Sequence, residues 1–354
     1  QKRGIRSSWA RSRLFEVEGL DLNVGYDYLE ETAKQFLALT NRVWVPPMNY
    51  TSNAPFAQVS YNRGPLTLSG GFRREDGKLQ VDSYTTTFFN NRVRVNGGSL
   101  DYKANLPNVG AIWRLPRNWS VFGSYSKGFT LPNVGIPLRN INVPGKSVSG
   151  ILDLQAVIVD NKEVGFAWRG KGASFSASIY RSYSALGSNL TVSPITRDFI
   201  LQRRPVKVQG GEASAEYAVS KTLKLNALFS HMEGTTVAFE GGPLNVRQGV
   251  TNSSPDKFGS SVTWRYTEKG ALTFGQTTLV GREINVGKGS YEKTAGYTLF
   301  HLSSTYSTKW GDFSIGIENL LDRYYILTWA QVDQFQNYFA GRGRAFTFTH
   351  SIKF

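Results

Sequence analysis

The 354-residue sequence contains no cysteine. That absence excludes a disulfide scaffold and a thiolate metal site. Histidine occurs three times, as His231, His301 and His350, with no pair at metal-ligand spacing, so no zinc site is expected. Charged residues are only 19% and aromatic residues are 13%, which excludes a disordered chain. Ala, Leu, Glu and Lys do not dominate, which excludes a helical bundle. No uncharged apolar run approaches about 18 residues, so no membrane-spanning helix is expected. The sequence opens on Gln1 with no apolar signal segment before the structured pattern, and reads as a fragment or a processed product.

What the sequence does have is alternation. Side chains point to opposite faces along a strand, so a strand with one apolar face reads with period two. Leu20, Leu22, Val24, Tyr26 and Tyr28 alternate with Asp21, Asn23, Gly25 and Asp27. Ala173, Phe175, Ala177 and Ile179 alternate with Ser174, Ser176 and Ser178. At the end, Phe346, Phe348, Ile352 and Phe354 stand against Thr347, Thr349, Ser351 and Lys353. Read through the chain, the pattern gives about 15 strands, most near the ~9–11 residues that cross a bilayer at a tilt.

The links between these strands alternate in length. Tight links fall at 16–19, 62–65, 116–118, 169–172, 219–221, 267–270 and 308–311, with turn chemistry such as Asn62-Arg63-Gly64-Pro65. Long links fall at 29–54, 76–105, 127–160, 184–206, 233–255, 282–294 and 326–341. An up-and-down barrel brings alternate links to one rim, so the expectation is an all-β, antiparallel transmembrane barrel with short turns at one end. Trp9, Phe15, Trp113, Trp119, Trp168 and Trp310 near strand ends suit interfacial girdles, with ordinary core aromatics as the plain alternative. An odd number of strands leaves an open edge, which lipid does not tolerate, so an odd number of further strands is expected upstream.

Lysine and arginine exceed aspartate and glutamate by 41 to 26, a net charge of +15. The basic residues are scattered and no recognition motif accompanies them, so nucleic acid is not expected as a partner. Cations at the headgroup and lipopolysaccharide level, and others along a lumen that attracts an anionic cargo, account for the balance. No histidine sits beside a nucleophile, and Gly70-Gly71 and Gly241-Gly242 lack a following helix, so an enzyme is not expected.

Four segments then carry a resemblance. SVFGSYSKGFTLPNVG at 120–135 resembles the strand-to-loop signature of TonB-dependent outer-membrane receptors. VDNKEVGF at 159–166 looks like that family's next strand start, with Glu163 and Gly165 in place. FSIGIENLLDRYY at 313–325 is similar to its late hairpin, with Glu318, Asn319, Leu320 and Asp322. GRGRAFTFTHSIKF at 341–354 resembles its last strand. The resemblance spans essentially the whole chain. It implies residues 1–354 as the C-terminal part of a 22-stranded barrel, with the plug domain, the coupling segment (the TonB box) and the first strands absent. It also implies active import of a ferric siderophore, energised by the TonB complex, in the Gram-negative outer membrane. Expected partners are the ferric siderophore, the TonB complex, and outer-membrane lipid with lipopolysaccharide. A monomer is expected, with no cofactor beyond the iron carried inside the siderophore. The alternatives are a passive porin-type channel, and a receptor for cobalamin or haem. Haem is disfavoured because Phe129-Thr130-Leu131-Pro132 leads into Asn133-Val134-Gly135 rather than the haem-receptor box.

Cargo contacts are expected from the long links, where Arg offers planar donor pairs and aromatic rings stack on flat ligand parts. The candidate ligand-binding residues are Phe129, Arg139, Arg181, Tyr183, Arg203, Arg204, Tyr325, Trp329 and Tyr338. For each one, a solvated or lipid-A-facing loop side chain is the plain alternative. The tract Phe88-Phe89 with Arg92 and Arg94 reads either as a ligand-facing loop or as strand ends packed together.

Overall fold

The computed structural model describes residues 1–132, 134–150, 156–192, 199–287, 290–331 and 339–352. The strands begin with β1 (Lys2–Arg11), β2 (Leu20–Leu37), β3 (Arg42–Arg63) and β4 (Leu66–Val81). A small pair, β5 (Tyr84–Thr85) and β6 (Arg94–Val95), precedes β7 (Gly98–Arg114) and β8 (Trp119–Thr130). A short helix, α1 (Gly135–Arg139), leads to β9 (Val157–Gly170), β10 (Ala173–Val192), β11 (Phe199–Ala218) and β12 (Leu223–Val237). Then come β13 (Leu244–Arg247), β14 (Lys257–Trp264), β15 (Gly270–Leu279), β16 (Arg282–Gly287) and β17 (Ser290–Thr294). The chain closes with β18 (Tyr297–Thr308), β19 (Gly311–Glu318) and β20 (Ala345–Ser351). One sheet holds 16 strands. Fifteen of them run in chain order from β1 to β20, the up-and-down order expected from the alternation, and β13 pairs with β12 beside that path.

Two compact units make up the chain. The first comprises Gln1–Trp113, Phe122–Lys162 and Ser182–Lys207, and the second comprises Arg114–Val121, Glu163–Arg181 and Val208–Phe354. Register in the second unit shows how the two sheet faces differ. Val262 lies opposite Phe274, which lies opposite Leu302, which lies opposite Ile317, which lies opposite Phe346. One step along, Ser261, Gly275, His301 and then Ser303, Gly316 and Thr347 occupy the other face. One face is therefore apolar and the other carries serine, threonine and glycine with His301. Apolar side chains on that face are exposed among the described residues: Phe346 is 71% and Phe348 is 67% exposed. That is the arrangement of a sheet whose apolar face meets lipid.

The first unit repeats the division. Trp9, Val24, Ala57, Phe72 and Pro107 run across β1, β2, β3, β4 and β7 on one face. Asn23, Gln58, Gly71 and Asn108 occupy the other. On that second face Arg73 bridges Asp27 at 2.7 Å and Glu75 at 3.1 Å, and Arg6 holds Asp27 from β1 at 2.9 Å. The fully buried Ala54, opposite Asp27 in register, keeps β3 low enough for that span.

Tight turns close the hairpins at one end. In the β18–β19 turn Gly311 has φ 119, and a Cβ there would run into the Ser351 carbonyl, so only glycine fits. Trp9, Phe15, Trp113, Trp119 and Trp310 near these turns are exposed rather than packed in a core. Trp168 donates its indole N–H to the Arg117 carbonyl at 3.1 Å.

The link expected at 29–54 is a correction. β2 and β3 stay paired as far as Leu37 and Arg42 and turn over 38–41. The register slips on both sides of Gln35, where Ala33 faces Met48 and Gln35 faces Val45. Pro46 and Pro47, which have no N–H to donate, stand in that irregularity. The slip breaks the alternation without ending the ladder.

Candidate functional site

The long-link end of the first unit carries a folded rim. Residues 83–97, 131–132 and 134–150 are not open loops, because apolar residues within them share a core. Val95, Leu138 and Val148 are fully buried against Leu79, Val81, Tyr102 and Val134. Phe129 and Tyr84 pack on that cluster. Polar anchors fasten the two excursions to each other. The Tyr84 hydroxyl donates to the Leu138 carbonyl at 2.6 Å and Asn90 Nδ2 to the Arg139 carbonyl at 2.8 Å. Asn91 Nδ2 donates to the Asn142 carbonyl at 3.3 Å. Asn96 also exchanges backbone hydrogen bonds with Lys146 and Val148.

Burial pushes the Tyr84 phenol well above its ordinary value of 10.0. The folded rim thus keeps the phenol neutral while an unfolded chain ionises it from about pH 10 upward. The contribution is fully present below that pH and is lost as pH rises beyond it. Proteolytic cutting within 83–97 is expected to speed up above about pH 10, and Tyr84→Phe to flatten that rise.

The second unit's long links are tied by side chains. Arg282 Nη1 donates to the Ser253 and Ser254 carbonyls at 3.2 and 3.0 Å, and Nη2 donates to the Met232 carbonyl at 3.2 Å. Burial, with Arg247 as a like-charged neighbour, moves Arg282 below the ordinary guanidinium value. Arg247 in turn pairs with Glu233 at 2.6 Å, and His231 meets Asp256 at 2.7 Å. Gln331 clasps Ala295 through both its backbone groups. Among the described residues no three metal-ligating side chains gather.

Of the expected ligand residues, Phe129, Arg139, Tyr183, Arg203 and Arg204 belong to the first unit and Arg181, Tyr325 and Trp329 to the second. Phe129 belongs to the rim core. The Arg139 guanidinium lies over the Trp44 ring at 4.1 Å. Arg181 is exposed two positions after the exposed Ile179, so alternation gives it, and then Tyr183, the face of Phe175 and Ile179. Arg203 donates to the carbonyls of Gly187, Ala156 and Leu186 at 3.1, 3.3 and 2.9 Å, tying strand ends together. Arg204 is half-buried next to it in β11. Tyr325 packs on Tyr297 at 4.5 Å, and Trp329 packs on Phe339 at 5.6 Å. Tyr338 lies outside the described residues, as do Asn133 and Phe354.

What sequence reasoning missed is the rim core itself. Its signal was present as Val93, Val95, Val134, Leu138 and Val148 inside stretches expected to be loop. The charge of the rim was also legible: residues 83–100 and 128–150 carry Arg92, Arg94, Arg139 and Lys146 and no carboxylate.

Comparison with known proteins fits this geometry. The family model described as "TonB dependent receptor-like, beta-barrel" matches residues 6–320. The ferric aerobactin receptor of Klebsiella pneumoniae is 25% identical over 348 residues, covering 87% of this chain and 45% of the relative. The rhizobactin receptor of Rhizobium meliloti (strain 1021) is 25% identical over 371 residues, covering 95% of this chain and 47% of the relative. The chain thus spans about half the length of the curated relatives it matches. Among solved structures, the copper transporter OprC aligns with TM-score 0.71 at 14% identity, over 98% of this chain and 55% of that one. The FrpB iron transporter from Neisseria meningitidis aligns with TM-score 0.70 at 14% identity, over 97% of this chain and 54% of that one. At those identities the likeness is one of fold.

Proposed function

The chain belongs to the TonB-dependent receptor β-barrel family, and we propose that it serves in an outer-membrane receptor that binds a ferric siderophore and imports it. The energy comes from the TonB complex of the inner membrane. The carrying observation is the division of the sheet into an apolar face and a polar, small-residue face along one continuous register. The polar face lines a cargo path and the apolar face meets lipid. The names of the two curated relatives, both receptors and one explicitly ferric, support the cargo class. The rim's Arg92, Arg94, Arg139 and Lys146, which outnumber Asp82 and Asp101 at its edge, support an anionic cargo, since a positive field raises the local concentration of anions. The protein does no covalent chemistry, and iron passes only as part of the cargo. The chain works within a longer receptor, as one protomer in outer-membrane lipid and lipopolysaccharide.

The test is uptake. Cells making the full-length receptor are expected to take up radio-iron supplied as a ferric siderophore. Loss of the TonB complex is expected to abolish entry and to leave binding at the cell surface intact. Entry that ignores the TonB complex would instead mark a passive channel.

A further inference from the structure

The apolar face of the first unit ends along a definite line, and register places it. On β1 and β2 the face runs as far as Ile5 and Tyr28, which lie opposite each other. On β3 it ends at Pro55, and on β4 and β7 at Phe72 and Pro107, which again lie opposite each other. Ile5, Tyr28, Asn53, Asp76 and Lys103 share one row across the five strands, so the line cuts across rows instead of following one. Strands that cross a bilayer at a tilt require that slant. Ile5, Tyr26, Phe72 and Val109, below the line, are all exposed. The line lies toward the long links, which places it at the headgroup level of the outer leaflet.

Beyond the line the same face turns polar. Asn53 follows on β3, Asn105 and Lys103 follow on β7, and Arg74, Asp76 and Lys78 follow on β4. Lys103 lies opposite Asp76, and Lys78 lies opposite Asp101. The two lysines are therefore diagonal neighbours, about 7–8 Å apart at the backbone, and two such long side chains can meet on one group. Arg74 is engaged within the sheet: it donates to Asn105 Oδ1 at 2.8 Å and meets Asp76 at 3.2 Å. Among the described residues neither Lys78 nor Lys103 takes part in an ion pair, and both are exposed. Asp101 opposes them, so the strip sets three cations against two carboxylates, of which Arg74 already holds one.

We propose that Lys78 and Lys103 form a clamp for the phosphorylated saccharide headgroup of lipid A in the outer leaflet. The acyl chains lie on Phe72 and Val109, and a phosphate meets the two ammonium groups. Asn53 and Asn105 offer amide groups to the sugar hydroxyls, a use that a glycerophospholipid headgroup has less of. The clamp rests on the outer-membrane reading given above and lies on the outer wall, away from the cargo path.

The experiment measures lipid retention by the full-length receptor in detergent, by native mass spectrometry. Three lipids are added in turn: lipid A, lipid A stripped of its phosphates, and phosphatidylglycerol. Lys78→Ala/Lys103→Ala is expected to bind lipid A about thirtyfold more weakly, at about fivefold per lysine. The phosphate-free form is expected to bind that variant and the parent alike. Lys78→Arg/Lys103→Arg is expected to keep lipid A, and Asp101→Asn to bind it up to about fivefold more tightly. Lys171→Ala/Lys221→Ala, in the tight links at the other end, is expected to change nothing. Unchanged lipid A binding in the first variant overturns the clamp, and so does an equal loss for the phosphate-free form or a weaker grip in Asp101→Asn. Phosphatidylglycerol bound as tightly as lipid A and lost to the same extent overturns the saccharide assignment. Siderophore binding by the same preparations is expected to be unaffected, so failure of the clamp and failure of the cargo reading are separate results.

Discussion

Phe348→Arg is expected to cost about 2–4 kcal/mol of stability in a bilayer, and Thr349→Arg, one residue along, less than about 1 kcal/mol. Phe348 lies in β20 opposite Ile315 and on the same face as Phe346. All three are more than half exposed with no protein layer over them. A guanidinium placed there must be drawn into hydrocarbon or must drag headgroups and water inward. Thr349 lies opposite Ser314 on the polar face, where an Arg keeps its water. The readout is denaturant unfolding of the full-length receptor in lipid vesicles. Equal costs at the two positions would mean that the faces do not differ in solvent.

The second large effect is local. Leu138→Ala is expected to cost about 2–5 kcal/mol, the range for emptying a fully buried leucine site. Leu138 has no exposed surface and sits between Val134, Val148 and the β4 and β7 side chains Leu79, Val81 and Tyr102. Its carbonyl also accepts the Tyr84 hydroxyl. The loss should fall on the rim rather than the strands below, since those are held by their own ladders. Hydrogen exchange is the readout: amides at 83–97 and 134–150 are expected to lose protection, while those at 57–72 keep theirs. Uniform loss across both regions would deny the rim its own core.

The strand order was legible because period two is a direct consequence of the pleat, and an apolar face toward lipid leaves no ambiguity at positions such as Phe346, Phe348 and Ile315. The tight turns were legible from glycine, as at Gly311, where the backbone conformation admits little else. The ladder from β2 to β3 was hidden because it survives a register slip at Gln35, beside Pro46 and Pro47, which interrupts the alternation. The small pairs β5–β6 and β16–β17 were hidden because two to six residues carry too few alternations. Ligand residues were the least legible part. Neighbouring strands set the face that Arg181 shares with Ile179 and the three carbonyl partners of Arg203. Long-range packing decides both, and no local pattern records it.

The most direct measurement uses the missing cysteine. Because this sequence has none, single cysteines can be placed in turn at positions 300–306 of β18, labelled with a fluorophore, and exposed to brominated lipid in vesicles. The register predicts quenching at positions 300, 302, 304 and 306, in line with Phe274 and Ile315, and none at 301, 303 and 305, which should respond to a water-soluble quencher instead. A run of labels with no alternation, or with lipid reaching neither set, would contradict the assignment of one face to the bilayer and the other to the cargo path.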